Sequence, residues 1–250
     1  MSSEEYVVIE FKEPLSSRIA RSLSRIFLVL LNPFQTFSEI AEKPDVIGPS
    51  VIFCLILAIN TLSRYFEATF VTVVLKSNGQ ESIIKLAELV LTPQALSLNL
   101  INIASRLGFG WLLGYLLIRF LGGFFGRDPG SKEAFSGIGY TMSVSMLELL
   151  AMLTLSIVAY QGIGSITISV PSNATLSTII SEVTSETQAL MVERGLASII
   201  SISRFVWFLS RAWTCALFIA SYEAMCRTGL AKATILGMLT YLVIYLVRGF

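Results

Sequence analysis

Three charged side chains fall inside long apolar runs: Arg106 in NIASRLGFGW, Glu148 in SVSMLELLAM and Arg211 in WFLSRAWTCA. An ionised group within a membrane is costly, and it faces either the interior of a helix bundle or water. Counting about 1.5 Å per residue from the predicted outer ends of their runs, Arg106 lies about 14 Å deep and Arg211 about 18 Å, with Glu148 also near the middle. Glu148 is expected to pair with Arg106, with Arg211 or with both. Such a cluster either lines a polar cavity for an ion, a proton or a lipid headgroup, or fixes helix packing as a buried ion pair. No acidic ladder lines a continuous path, which favours the packing role.

Little other chemistry is open to the chain. It contains no histidine, which removes Ser-His-Asp and Cys-His catalysis, His-ligated metals and His proton switches. Cys54, Cys215 and Cys226 form no CxxC pair, so neither a disulfide framework nor a metal site is expected. Glu39, Glu42 and Asp45 are the tightest acidic group, but Pro44 interrupts them, and their spacing suits the end of a helix better than a metal or lipid-hydrolysing centre. No cofactor is expected and no catalytic residue is assigned.

The elements that must position the charges are membrane spans. Of 250 residues, 54% are hydrophobic and only 14% charged, with a mean hydropathy of +0.74; a soluble domain carries about 25% charged residues. The chain reads as an all-α integral membrane protein of five spans, at 47–62, 97–124, 135–160, 199–226 and 234–247. The first span extends to Leu75 if its helix runs on. Residues 81–92 are too short to cross and are expected as an amphipathic surface helix. Three parts follow: a tail over 1–13, amphipathic helices over 14–44, and the bundle over 45–250 with an external loop at 161–195. Within that loop 165–170 alternates like a strand, and an amphipathic helix follows. Nine Lys and Arg on one side against four on the other place the N-terminus in the cytoplasm and the C-terminus outside. The sequon Asn173-Ala174-Thr175 then lies outside, where glycosylation is possible. A net charge of +1 gives no basis for binding nucleic acid.

Ahead of the spans, residues 15–31 carry a 3.6-residue period. Leu15, Ile19, Leu23, Ile26 and Leu30 share one face, and Arg18, Arg21 and Arg25 another. This pattern predicts a helix lying in the membrane interface with its arginines on the membrane surface; a helix packed on the protein's own core is the other reading. Asn32 and Pro33 open a second, short helix, which Pro44 ends. In the second span Gly110-x-x-x-Gly114 and Gly122-x-x-x-Gly126 allow close helix approach, either as a dimer seam or within one monomer. Glu223 and Arg227 are spaced to pair at i, i+4.

The segment Asn32-Pro33-Phe34, then Phe37, Ile40 and Lys43-Pro44 ahead of Gly48-Pro49, resembles the N-terminal edge of the Yip domain (the Ypt/Rab-interacting protein family), in particular its prokaryotic members. Leu121-Gly122-Gly123, followed by Lys132-Glu133-Ala134-Phe135 and Gly139-Tyr140, is similar to that family's junction of the second and third spans. Gly229-Leu230-Ala231-Lys232-Ala233 is similar to its lead into the last span. The resemblance covers 30–247 and implies a five-span helical protein with a cytoplasmic N-terminus and no catalytic motif. It also implies likeness to eukaryotic adaptors that bind prenylated small GTPases in vesicle traffic, so a small GTPase partner enters by family analogy alone. The expected function is a non-enzymatic multi-pass membrane scaffold or adaptor. Its partners would be membrane lipids and other membrane proteins, met as a subunit of a complex or as a homo-oligomer. The alternative is a transporter or channel component using Arg106, Glu148 and Arg211.

Overall fold

The computed structural model describes residues 14–77 and 80–248; the tail expected over 1–13 lies outside them. Two helices come first, α1 (Leu15–Leu31) and α2 (Pro33–Glu42), then α3 (Ile47–Thr69). Strands β1 (Val71–Ser77) and β2 (Gln80–Lys85) and the short α4 (Leu86–Val90) lead into α5 (Pro93–Phe125). After α6 (Ser131–Thr141) and α7 (Ser143–Ile163) come β3 (Ile166–Pro171), α8 (Leu176–Glu193), α9 (Ala197–Cys226) and α10 (Leu230–Arg248). Helices α3, α5, α9 and α10, and α6 with α7 taken as one, are long and apolar enough to cross a membrane. The protein is an integral, multi-pass, all-α membrane protein with one small sheet among the described residues.

Helix α9 is the axis of the bundle: α2, α5, α6, α7, α8 and α10 all pack on it. The break between α6 and α7 has a local cause. It falls at Met142, just after Gly137-Ile138-Gly139-Tyr140-Thr141, where Thr141 Oγ1 donates to the Ile138 carbonyl at 2.7 Å and Ser143 Oγ to the Tyr140 carbonyl at 2.8 Å. Glycine and hydroxyl back-bonding both loosen the helical ladder there.

At the far end of the bundle from α2, β1 pairs antiparallel with β2 (Val73 opposite Ile84) and parallel with β3 (Val73 opposite Ile168), in the order β2-β1-β3. Val71, Val73, Ile166, Ile168 and Val170 form a second core with Ile179 and Val183 of α8. Two expectations are corrected here. The helix expected over 81–92 shrinks to α4, with β2 ahead of it, and the first span ends at Thr69 instead of running to Leu75. Val71-Thr72-Val73-Val74 is β-branched and suits a pleated surface, and β3, distant in sequence, supplies the backbone partners that local periodicity cannot show. The strand expected at 165–170 is β3, and the helix expected after it is α8.

Candidate functional site

Two polar constellations stand out, one where α1 and α2 meet the bundle and one midway along the spans. The first is built around Arg25. The phase of α1 turns Ser22, Arg25, Ile26 and Val29 towards the protein. Arg25, 2% exposed, donates from Nη1 to Asp45 Oδ2 at 2.9 Å and to the Lys43 carbonyl at 2.7 Å, and from Nη2 to the Glu39 carbonyl at 2.8 Å. It thus satisfies the Lys43 carbonyl, left open where α2 ends, and adds a second donor to the Glu39 carbonyl, which already accepts the Lys43 amide. Asp45 works in the other direction. Its Oδ1 accepts the Gly48 amide at 2.9 Å, capping the start of α3, and the Ser22 hydroxyl at 2.9 Å. Tyr140 donates its hydroxyl to Asp45 Oδ2 at 3.0 Å, and Ser136 Oγ accepts the Asp45 amide at 3.3 Å. A buried ion pair is tolerated when hydrogen bonds meet its remaining valences, as nearly all are met here.

Glycines make this assembly possible. A Cβ on Gly48 would run into the Tyr140 ring and hydroxyl, one on Gly139 into Pro49 and, at 2.8 Å, Trp111, and one on Gly137 into Met225. Gly48-Pro49 and Gly139-Tyr140 are therefore two halves of one contact.

The expected surface role of the three arginines is corrected for Arg25, which faces Asp45 and not lipid. Arg18 is exposed, and Arg21 is half-buried and engaged by its neighbours. The apolar face is divided as well: Ile26 is buried and Leu30 half-buried, while Leu15, Phe27 and Leu31 are 62%, 61% and 81% exposed, with Ile19 and Leu23 between them. α1 thus buries Arg25 beside Ile26 and Val29 and leaves Leu15, Phe27 and Leu31 outward. A stripe of this size is stable against lipid or a partner, not against water.

The second constellation is a cavity of about 360 Å³ among α3, α5, α6, α7, α9 and α10, whose lining includes Asn60, Arg106, Glu148, Arg211, Tyr241 and Tyr245. The first four each lie near the middle of a spanning helix. Arg211 Nη2 stands 3.7 Å from Glu148 Oε1, long for a hydrogen bond. The Arg211 guanidinium lies over Trp207, 5.4 Å from the ring centre, and over Tyr245, at 5.9 Å. Arg106 is exposed at the cavity and forms no ion pair among the described residues. Glu148 therefore meets one of its two candidate partners. A further cavity of about 450 Å³ beside Arg64, Glu67 and Ser156, toward the sheet, shares Asn60 and Leu149 with the first.

On α5, Gly110, Gly114, Ile118 and Gly122 are buried in a four-residue rhythm. A Cβ on Gly114 would stand 2.8 Å from Ile138 and 3.2 Å from Ile244; on Gly122 it would meet Cys226 Sγ, and on Gly126 the Cys226 carbonyl. These neighbours all belong to the same chain. Asn173 is exposed in the turn between β3 and α8. Glu223 and Arg227 form no ion pair among the described residues, because Arg227 leaves α9 in the left-handed conformation (φ 51°) and loses the helical register.

Sequence reasoning missed Asn60, Ser22 and Tyr140, and it read Asp45 only as a helix terminator. The signal for Asp45 lay in its place three residues before Gly48, the spacing of a cap.

The Yip1 domain model matches residues 27–249. No curated protein and no solved structure matches the chain.

Proposed function

The chain belongs to the Yip1 domain family, and on that premise we propose that it is a non-enzymatic membrane scaffold or adaptor that meets lipids and other membrane proteins through α1. The observation that carries this reading is the apolar stripe that α1 leaves uncovered while its other face is anchored to the bundle. Arg25 is locked to Asp45 on the inner side, and Leu15, Ile19, Leu23, Phe27 and Leu31 are presented on the outer side. A platform held this rigidly loses little conformational entropy when a partner seats on it. By the lysine and arginine count, α1 and α2 lie on the cytoplasmic side and Asn173 on the opposite one. A small GTPase remains a partner by family analogy, and association with other membrane proteins includes a second copy of the chain.

A photo-crosslinking residue at Phe27 in native membranes tests the reading. A protein adduct of discrete mass, lost when Arg25→Met frees α1, is the expected result. Absence of any adduct but lipid, unchanged by Arg25→Met, sinks the adaptor role. Cysteine placed at Asn173 and labelled by an impermeant maleimide from outside intact cells tests the orientation, which fails if labelling requires lysis.

The transporter reading is favoured by one observation, the cavity that gathers Arg106, Glu148 and Arg211 at mid-span. It requires solute or ion flux in sealed vesicles that Glu148→Gln abolishes; vesicles as tight as protein-free ones exclude it.

A further inference from the structure

We propose that the mid-span cavity is a binding site for the phosphodiester headgroup of an anionic lipid, held between Arg106 and Arg211. Its volume of about 360 Å³ falls within the roughly 300–1,000 Å³ of small-ligand sites. The charge balance identifies the ligand. Arg106, Arg211 and Glu148 are the charged residues lining the cavity, so one positive charge is left over, at a depth where an uncompensated cation is expensive. A monoanion restores neutrality.

The geometry is that of a poised cation. Arg211 is fixed by the faces of Trp207 and Tyr245, touches Glu148 only at 3.7 Å, and has a buried Nε with no hydrogen-bond partner among the described residues. Guanidinium groups bind phosphate through paired N–H donors, which Arg211, short of a hydrogen bond to Glu148, and an unpaired Arg106 both keep available. Asn60 Oδ1 is also buried and lacks a donor; a hydroxyl on a glycerol- or inositol-type headgroup supplies one. Ile103, Leu107 and Ile244 form apolar wall beside these groups. That wall suits an acyl chain and offers nothing to free phosphate. The site is separate from the α1 platform, which can fail its crosslinking test while this site stands.

The test is native mass spectrometry of the full chain after reconstitution with equimolar phosphatidylglycerol and phosphatidylcholine. Phosphatidylglycerol is retained about tenfold over phosphatidylcholine, a difference of about 1.4 kcal/mol. Arg106→Gln and Arg211→Gln each erase the preference, Arg106→Lys keeps part of it, and Arg194→Gln, exposed at the end of α8, leaves it intact. Glu148→Gln raises it, because the competing carboxylate is gone; a role confined to helix packing has no means of producing that sign. Should Arg211→Gln fail to fold, Arg106→Gln decides, since Arg106 is exposed and unpaired. Equal retention of both lipids, an unchanged preference in Arg106→Gln, or a reduced one in Glu148→Gln overturns the proposal. Displacement of the lipid by millimolar inorganic phosphate overturns it too, by revealing a site for a soluble anion.

Discussion

Arg25 and Asp45 meet at 2.9 Å with side chains 2% and 5% exposed, and each also completes the end of a different helix, Arg25 that of α2 and Asp45 that of α3. The pair is therefore a joint between three helices, and removing either partner strands the other charge in the interior.

Arg25→Met or Asp45→Ala costs about 3–5 kcal/mol, the range for one-sided removal of a buried ion pair. Asp45→Asn costs less than Asp45→Ala, because the amide oxygen still caps the Gly48 amide. Thermal melts in detergent read both. A double variant whose loss equals the sum of the single losses shows that the pair is uncoupled and sinks the joint.

Gly48→Ala collides with Tyr140, and the strain is expected to cost about 1–3 kcal/mol, as overpacking does. Tyr140→Phe relieves the collision but gives up the bond to Asp45, so the double variant loses less than the sum of the two single losses. Gly108→Ala on α5 is the control: nothing lies within 4 Å of its Cβ, so it is neutral, or stabilising by up to about 1 kcal/mol through helix propensity. Equal melting shifts in the two variants would contradict the contact.

Gly122→Ala meets Cys226 of its own chain. It is expected to lower the melting temperature without changing the particle mass by light scattering. A fall in mass with no fall in melting temperature assigns the stripe to a seam between copies.

Arg119 donates to both carboxylate oxygens of Asp128, at 3.2 and 2.8 Å, in the loop before α6. Those hydrogen bonds hold the Asp128 carboxyl below the ordinary carboxylate range. A group with a depressed folded-state pKa stabilises above its unfolded value, about 3.9, and the contribution is lost as the pH falls through the folded value. Wild type and Asp128→Asn thus differ slightly at neutral pH and converge below about pH 4. Because the pair is exposed, added salt shrinks the neutral-pH difference. A gap that widens on acidification would reverse the assignment.

The sequence displays spans and buried charges clearly because membranes leave a one-dimensional record: apolar length, and the rare ionisable residue inside it. Arg106, Glu148 and Arg211 were visible for that reason. Which arginine Glu148 approaches depends on helix rotation, which single-helix periodicity does not specify. The same limit hid Arg25. Its place on a polar face was legible, but an arginine face suits water and a buried carboxylate equally, and Asp45 lies beyond the α2 helix and Pro44. The sheet was illegible at β1 and β2, because a short apolar run does not distinguish strand from helix without its partner.

The joint at Arg25 also sets an order of assembly. α1 leaves the ribosome before α6, yet the Tyr140 hydroxyl that completes its seat lies 95 residues beyond Asp45. Until α6 has entered the membrane, Arg25 and Ser22 have only part of their inner partners, while the leucine side of α1 is already attracted to lipid. α1 is made well before its seat is complete, and its docking reports that the third span has arrived.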